Sequence, residues 1–176
     1  MFPLVGFFLV VFVALAIVYD LSESRIPNWL VLVGVLGGTI FNTTKGFDQL
    51  LHSLLGLGFG VGILILPFAL GWLGAGDVKL LGAVGSILGA SLVPRVFFYS
   101  VLLGGVCALG LVICRHKRLE AFTQLWLDLK LFFMSRGAVL PQVVGERHSN
   151  FPLGVAIGLG TLTAVYVDPD GKWAGF

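Results

Sequence analysis

The chain is short of charge. Only 11% of its 176 residues are Asp, Glu, Lys or Arg, where a soluble domain carries roughly a quarter, and this excludes an ordinary globule in water. Cysteine is nearly absent: Cys107 and Cys114 are the only two, which rules out a disulfide scaffold. The formal net charge is +2, from 11 basic and 9 acidic residues, too small and too scattered for the basic stripe of a nucleic-acid surface. No Gly-x-x-x-x-Gly-Lys-Ser/Thr run is present to cradle a phosphate. No His-Glu-x-x-His occurs either, since His52, His116 and His148 lie in separate segments, so no metal site is expected. Ser53, Ser86 and Ser100 lie inside apolar spans, and nucleophilic serine chemistry has little support. No period of 20–50 residues repeats. What the chain has in excess is apolar side chains, 57% of the total, and the solvent they suit is a bilayer.

Crossing about 30 Å of hydrocarbon takes a helix of roughly 17–25 residues. Six apolar stretches are candidates: Phe2–Tyr19, Ile26–Phe41, Leu50–Leu73, Val78–Leu92, Val96–Ile113 and Leu153–Val167, several of them short. The first is read as a retained helix, because no Lys or Arg precedes it to make the basic start of a signal peptide. The expected fold is therefore all-α, a polytopic membrane bundle of about six spans forming one domain over residues 1–176. Pro67 should kink the third span near its end.

Basic residues collect in cytoplasmic loops. With the N-terminus outside, the inner segments hold Arg25, Lys79, Arg115, Lys117, Arg118, Lys130, Arg136 and Arg147, and the outer ones Lys45, Arg95 and Lys172. Eight against three places both termini outside. The cytoplasmic loop 114–150 contains Leu119, Phe122, Leu125, Trp126, Leu129, Phe132 and Phe133 at helical spacing behind the basic run Arg115-His116-Lys117-Arg118. It reads as an amphipathic helix lying in the lipid interface, or equally as one packed on the bundle.

Glycine is plentiful, 25 residues, and clusters inside spans, as Gly56, Gly58, Gly60 and Gly62 in the third and Gly82, Gly85 and Gly89 in the fourth. Small residues at such spacing let helix backbones approach closely. Among the nine acidic residues, Asp20 and Asp77 stand out. Each lies where an apolar span meets the cytoplasmic face, and an acid at such an edge is a functional candidate. Taken singly they also allow plain readings: Asp77 as a helix N-cap shaped by Gly74 and Gly76, Asp20 as a loop acid paired with Arg25.

Three segments taken together resemble the signatures of the type IV prepilin peptidases, intramembrane aspartic proteases of the Gly-x-Gly-Asp type. They are Asp20 to Asn28, which includes Arg25, Pro27 and Asn28; Gly74-Ala75-Gly76-Asp77-Val78-Lys79; and Phe151-Pro152-Leu153-Gly154. The resemblance runs in order along nearly the whole chain. It implies that Asp20 and Asp77 are the catalytic pair and that the substrate is a prepilin, whose short basic leader is removed on the cytoplasmic side of the inner membrane. It calls for no cofactor. Longer members carry a cysteine cluster linked to N-methylation. This chain begins directly with a span and lacks those cysteines, so it resembles the form serving tight-adherence (Flp-type) pili, with preflagellin processing as the nearest variant and no methyltransferase activity expected.

Such chemistry needs two carboxylates sharing a proton around a water. Asp77, at a helix N-terminus beside Lys79, is expected to be held low and to act as the base, with Asp20 as the acid. Pro152 and Gly154 open the sixth span, where a break could free backbone groups for a substrate, or could simply start a helix. Arg25, Pro27 and Asn28 are expected to shape the first loop. Two rival classes remain: a small ion-coupled transporter, which would need acids near mid-membrane or matching broken helices, and a structural subunit of a secretion or pilus machine.

Overall fold

A computed structural model describes residues 3–23, 25–71, 73–114 and 153–167. All the regular structure there is helical: α1 (Pro3–Glu23), α2 (Asn28–Thr43), α3 (Phe47–Ala69), α4 (Ala75–Leu88), α5 (Val93–Cys114) and α6 (Leu153–Leu162), the last running into a π-helical turn over Thr163–Val167. The loop helix expected within 114–150, Pro152 and the C-terminal segment lie outside the described residues.

The bundle is apolar outside as well as inside. Leu4, Phe7, Val18 and Leu21 on α1, Leu32, Leu36 and Ile40 on α2, Leu55, Phe59 and Leu66 on α3, and Val101 and Val106 on α5 all face outward. A surface of this kind suits lipid. Leu4–Glu23 and Phe47–Ala69 are long and apolar enough to cross a membrane by themselves, while Asn28–Thr43, Val93–Ala108 and Leu153–Val167 are shorter apolar helices.

Helix α4 is the axle. Val78 and every residue from Leu80 to Ile87 are buried, with α3 and α2 as its main neighbours and α1, α5 and α6 closing the remaining side. With 14 residues it is about 21 Å long. Glycines seat it. A Cβ at Gly56 would collide with the Gly85 carbonyl, one at Gly60 with the Leu81 carbonyl, and one at Gly38 would come within 2.7 Å of the Ile87 nitrogen. Gly82 has the same role toward Val61. Gly58 and Gly62 differ from expectation: a Cβ on either meets nothing within 4 Å, because they lie on the opposite side of α3 from Gly56 and Gly60. Gly89 stops the helix with a φ of 84°.

The carbonyls that α4 leaves free at this end are taken up by its neighbours. Asn42 Nδ2 donates to the Ser86 carbonyl at 3.0 Å and to that of Ile87 at 3.3 Å, and Ser53 Oγ donates to Ser86 at 2.7 Å.

Other boundaries also shift. Helix α1 continues through Glu23, so Asp20 lies inside its last turns, not after its end. Polar residues extend a helix freely once it leaves hydrocarbon, which apolar run length does not register. Pro67 falls in the last turn of α3, two residues before its end.

Candidate active site

Asp20 and Asp77 meet at one end of the bundle. Asp77 stands in the first turn of α4, just ahead of its apolar stretch. Gly74 is the N-cap and offers no side chain, in an extended conformation with ψ 149°, and the Asp77 N–H donates to the Gly74 carbonyl at 3.2 Å. The Asp77 carboxylate in turn takes a hydrogen bond from the Gly74 backbone. Asp77 is thus not the N-cap; it reaches back to the cap from the third helical position, as the acid of a capping box does. Gly76 faces the α1–α2 loop, where a Cβ would lie 3.5 Å from Ile26, an ordinary contact.

Asp20 is 8% exposed. Its Oδ2 accepts the Val155 N–H at 3.1 Å, so it is tied to the first turn of α6. The backbone freed at the start of the sixth helix therefore goes to the carboxylate of α1, a partnership for which the only trace in the sequence is Gly154 itself. Tyr19 packs edge-on against Trp29 of α2, with ring centroids 5.9 Å apart.

Burial pushes the Asp77 carboxyl up from 3.8 to about 6, the negative charge of Asp20 adds to the rise, and the Gly74 hydrogen bond opposes it. The two acids thus sense one another across the junction of α1, α4 and α6. This overturns the expectation that Asp77 is held low. Desolvation outweighs the helix N-terminus, and Lys79 does not help: its Nζ donates to Asn28 Oδ1 at 2.9 Å, tying α4 to the first residue of α2. Residues two apart on a helix do not face each other.

The other residues of the first segment are architectural in placement. Pro27 is the N-cap of α2, its carbonyl accepting from Leu30 at 3.1 Å and Val31 at 3.4 Å. Arg25 is exposed in the loop. A polar cavity of about 160 Å³, lined by Asn42, Gln49, His52, Leu88, Gly89 and Ser91, lies at the far end of α4 and is separate from the carboxylates.

The model of the type IV leader peptidase family matches residues 7–109, which include both acids. The chain belongs to this family. It is similar to the prepilin leader peptidase/N-methyltransferase of Aeromonas hydrophila, with 34% identity over 116 residues, 60% of this chain and 39% of that protein. The protein of the same name from Neisseria gonorrhoeae is 32% identical over 119 residues, 64% of this chain and 42% of its own. That from Bacillus subtilis strain 168 is 30% identical over 154 residues, 85% of this chain and 60% of its own. The chain thus covers 39% to 60% of the length of these relatives. No solved structure matches it.

Proposed function

We propose that this leader peptidase family member is an intramembrane aspartic endopeptidase. On this reading it removes the short basic leader of Flp-type prepilins at the cytoplasmic face of the inner membrane and leaves the new N-terminal amine unmethylated. The observation that carries the reading is the convergence of α1, α4 and α6, which holds Asp20 on the Val155 N–H at 3.1 Å and brings its negative charge near enough to raise Asp77. The eight-to-three distribution of basic residues supports a cytoplasmic position for that junction.

Two acids sharing one proton account for both halves of the hydrolysis. The ionised carboxylate takes a proton from water as the water oxygen bonds to the peptide carbonyl carbon, and the protonated partner gives its proton to the carbonyl oxygen. In the collapse, one carboxyl protonates the amide nitrogen while the other takes a hydroxyl proton from the tetrahedral intermediate. The C–N bond breaks and the pair is left with one proton again. A like charge beside a half-buried acid raises the pH at which the second proton leaves, and Asp77, pushed up to about 6, keeps it through the weakly acidic range.

The test is cleavage of a Flp-type prepilin by the purified protein in detergent. Asp20→Asn and Asp77→Asn should insert normally and leave the leader attached, while Glu23→Gln and Asp48→Asn cleave as the parent does. The N-terminus of the mature product should be a free amine by mass spectrometry. Substantial cleavage by either Asn variant would refute the two-carboxylate mechanism and favour a structural subunit. Reporter fusions at Thr44 and at the C-terminus should report the outer face, and one at Gln124 the cytoplasm.

A further inference from the structure

Three glycines sit in the segments around the two carboxylates, and they are not equivalent. At Gly74 an added Cβ would lie 3.4 Å from Asp77 Oδ2, and at Gly76 3.5 Å from Ile26, so neither crowds a carboxylate. At Gly154 it would lie 2.8 Å from both Cγ and Oδ2 of Asp20 and 3.1 Å from its Cβ. Carbon atoms in contact sit at roughly 3.5–4.0 Å, so any side chain at position 154 must drive the whole Asp20 side chain away by about 1 Å. Asp has no flexible arm that could bend aside, because its carboxyl is one bond from Cβ.

The floor of this notch is fixed. Gly154, Ala156, Ile157, Gly158, Gly160 and Thr161 are all buried. A Cβ at Gly160 would strike Ser100 of α5, and one at Gly158 would lie 2.8 Å from the Ile17 side chain of α1. Helix α6 is therefore wedged between α5 and α1, and its first turn offers the Val155 N–H to Asp20 Oδ2 at 3.1 Å.

We propose that Gly154 is a positioning residue for peptide hydrolysis: its bare backbone is the notch that seats the Asp20 carboxylate, and the Gly154 and Val155 N–H groups hold that carboxylate in place toward the attacking water. The inference rests on the two-carboxylate mechanism and adds to it a third helix, α6, which takes no part in proton transfer. A displacement of about 1 Å of a reacting group lowers rate by about 100-fold. Because α6 acts on the reacting group and not on the leader, the loss should fall on kcat.

The experiment compares Gly154→Ala, Val155→Pro and Gly158→Ala with the parent, using the same prepilin in detergent, with kcat and KM measured separately and insertion and melting temperature checked. Gly158→Ala fills a notch on the same helix pair but presses on the aliphatic side chains of Ile17 and Val13, away from the carboxylate, and it controls for α6 packing. Val155→Pro replaces the N–H by a ring carbon that points where the hydrogen did, at Asp20 Oδ2, so it removes the hydrogen bond and crowds the carboxylate together, at a first-turn position where proline is tolerated in the helix itself. The expected result is a fall in kcat of about 100-fold for Gly154→Ala and at least about tenfold for Val155→Pro, KM within about twofold, and near-parental kinetics for Gly158→Ala. A Gly154→Ala enzyme with parental kcat overturns the proposal, and so does an equal loss in Gly154→Ala and Gly158→Ala with KM raised in both. The underlying mechanism fails separately, if Asp20→Asn still cleaves.

Discussion

Helices α4 and α1 carry the two acids and are seated in different ways. Around α4 the contacts are backbone on backbone: Gly56 against the Gly85 carbonyl, Gly60 against Leu81, Gly38 against Ser86 and Ile87. Around α1 they are side chains set into glycine notches, with Phe12 at Gly34, Phe8 at Gly37, Ile17 at Gly158 and Asp20 at Gly154. Backbone contacts have no rotamers with which to yield, whereas rings and aliphatic chains do. Asp77 is thus fixed by the backbone contacts of its own helix, and Asp20 by the notch that α6 provides. The same division separates α2, α3 and α4 from α1, α5 and α6, groups within which packing is denser than between them.

The sharpest test of the fixed side is Asp77→Glu. Helix α4 cannot retreat to absorb a methylene, so cleavage should fall at least about 100-fold; retention of activity in a prepilin assay would show that α4 yields after all. Next comes Gly56→Ala, which sets a Cβ against the Gly85 carbonyl and should destabilise the protein by about 3 kcal/mol. Gly158→Ala, opposed by the Ile17 and Val13 side chains and by no backbone, should lose about 1 kcal/mol. Equal melting shifts in detergent would erase the distinction between the two helices.

Asp77→Asn separates the electrostatics from the packing. The Asp77 carboxyl rises from 3.8 to about 6 on folding, so the folded protein binds this proton more tightly than the unfolded chain. The stabilisation from that proton is full below about 4 and is lost as pH rises through about 6. The Asn variant, free of that dependence, should melt higher than the parent at pH 8, by on the order of 2 kcal/mol, and the gap should close toward pH 4. A gap that widens on acidification would reverse the sign and refute the burial of the charge. For cleavage the same titration predicts a fall in kcat/KM above about 6. The smallest effect belongs to Lys79→Met. Its hydrogen bond to Asn28 is exposed, and stability should change by about 0.5 kcal/mol or less.

Much of this was legible in residue order. Asp20 and Asp77 stand where apolar runs end, and the helix count follows from run length. The opposed faces of α3 were also readable, since at 100° per residue Gly56 and Gly60 share one side while Gly58 and Gly62 turn to the other; the expectation of close packing treated the four alike. Two features had no local signal. Lys79 is near Asp77 in sequence yet points to Asn28, which depends on where α2 begins. The Asp20–Val155 bond joins residues that only the packing of α6 beside α1 brings together.

The 14 residues of α4 have a further consequence for its longer neighbours, α1 and α3, which at 21 and 23 residues extend about 32 and 35 Å. Along the axis of α4 the insulating layer is about a third thinner than the hydrocarbon around the bundle. Its two tips open onto polar groups, the carboxylates at one and the chamber of Asn42, Gln49, His52 and Ser91 at the other. On the proposed mechanism, water has a shorter way to the carboxylates than the thickness of the surrounding bilayer would set.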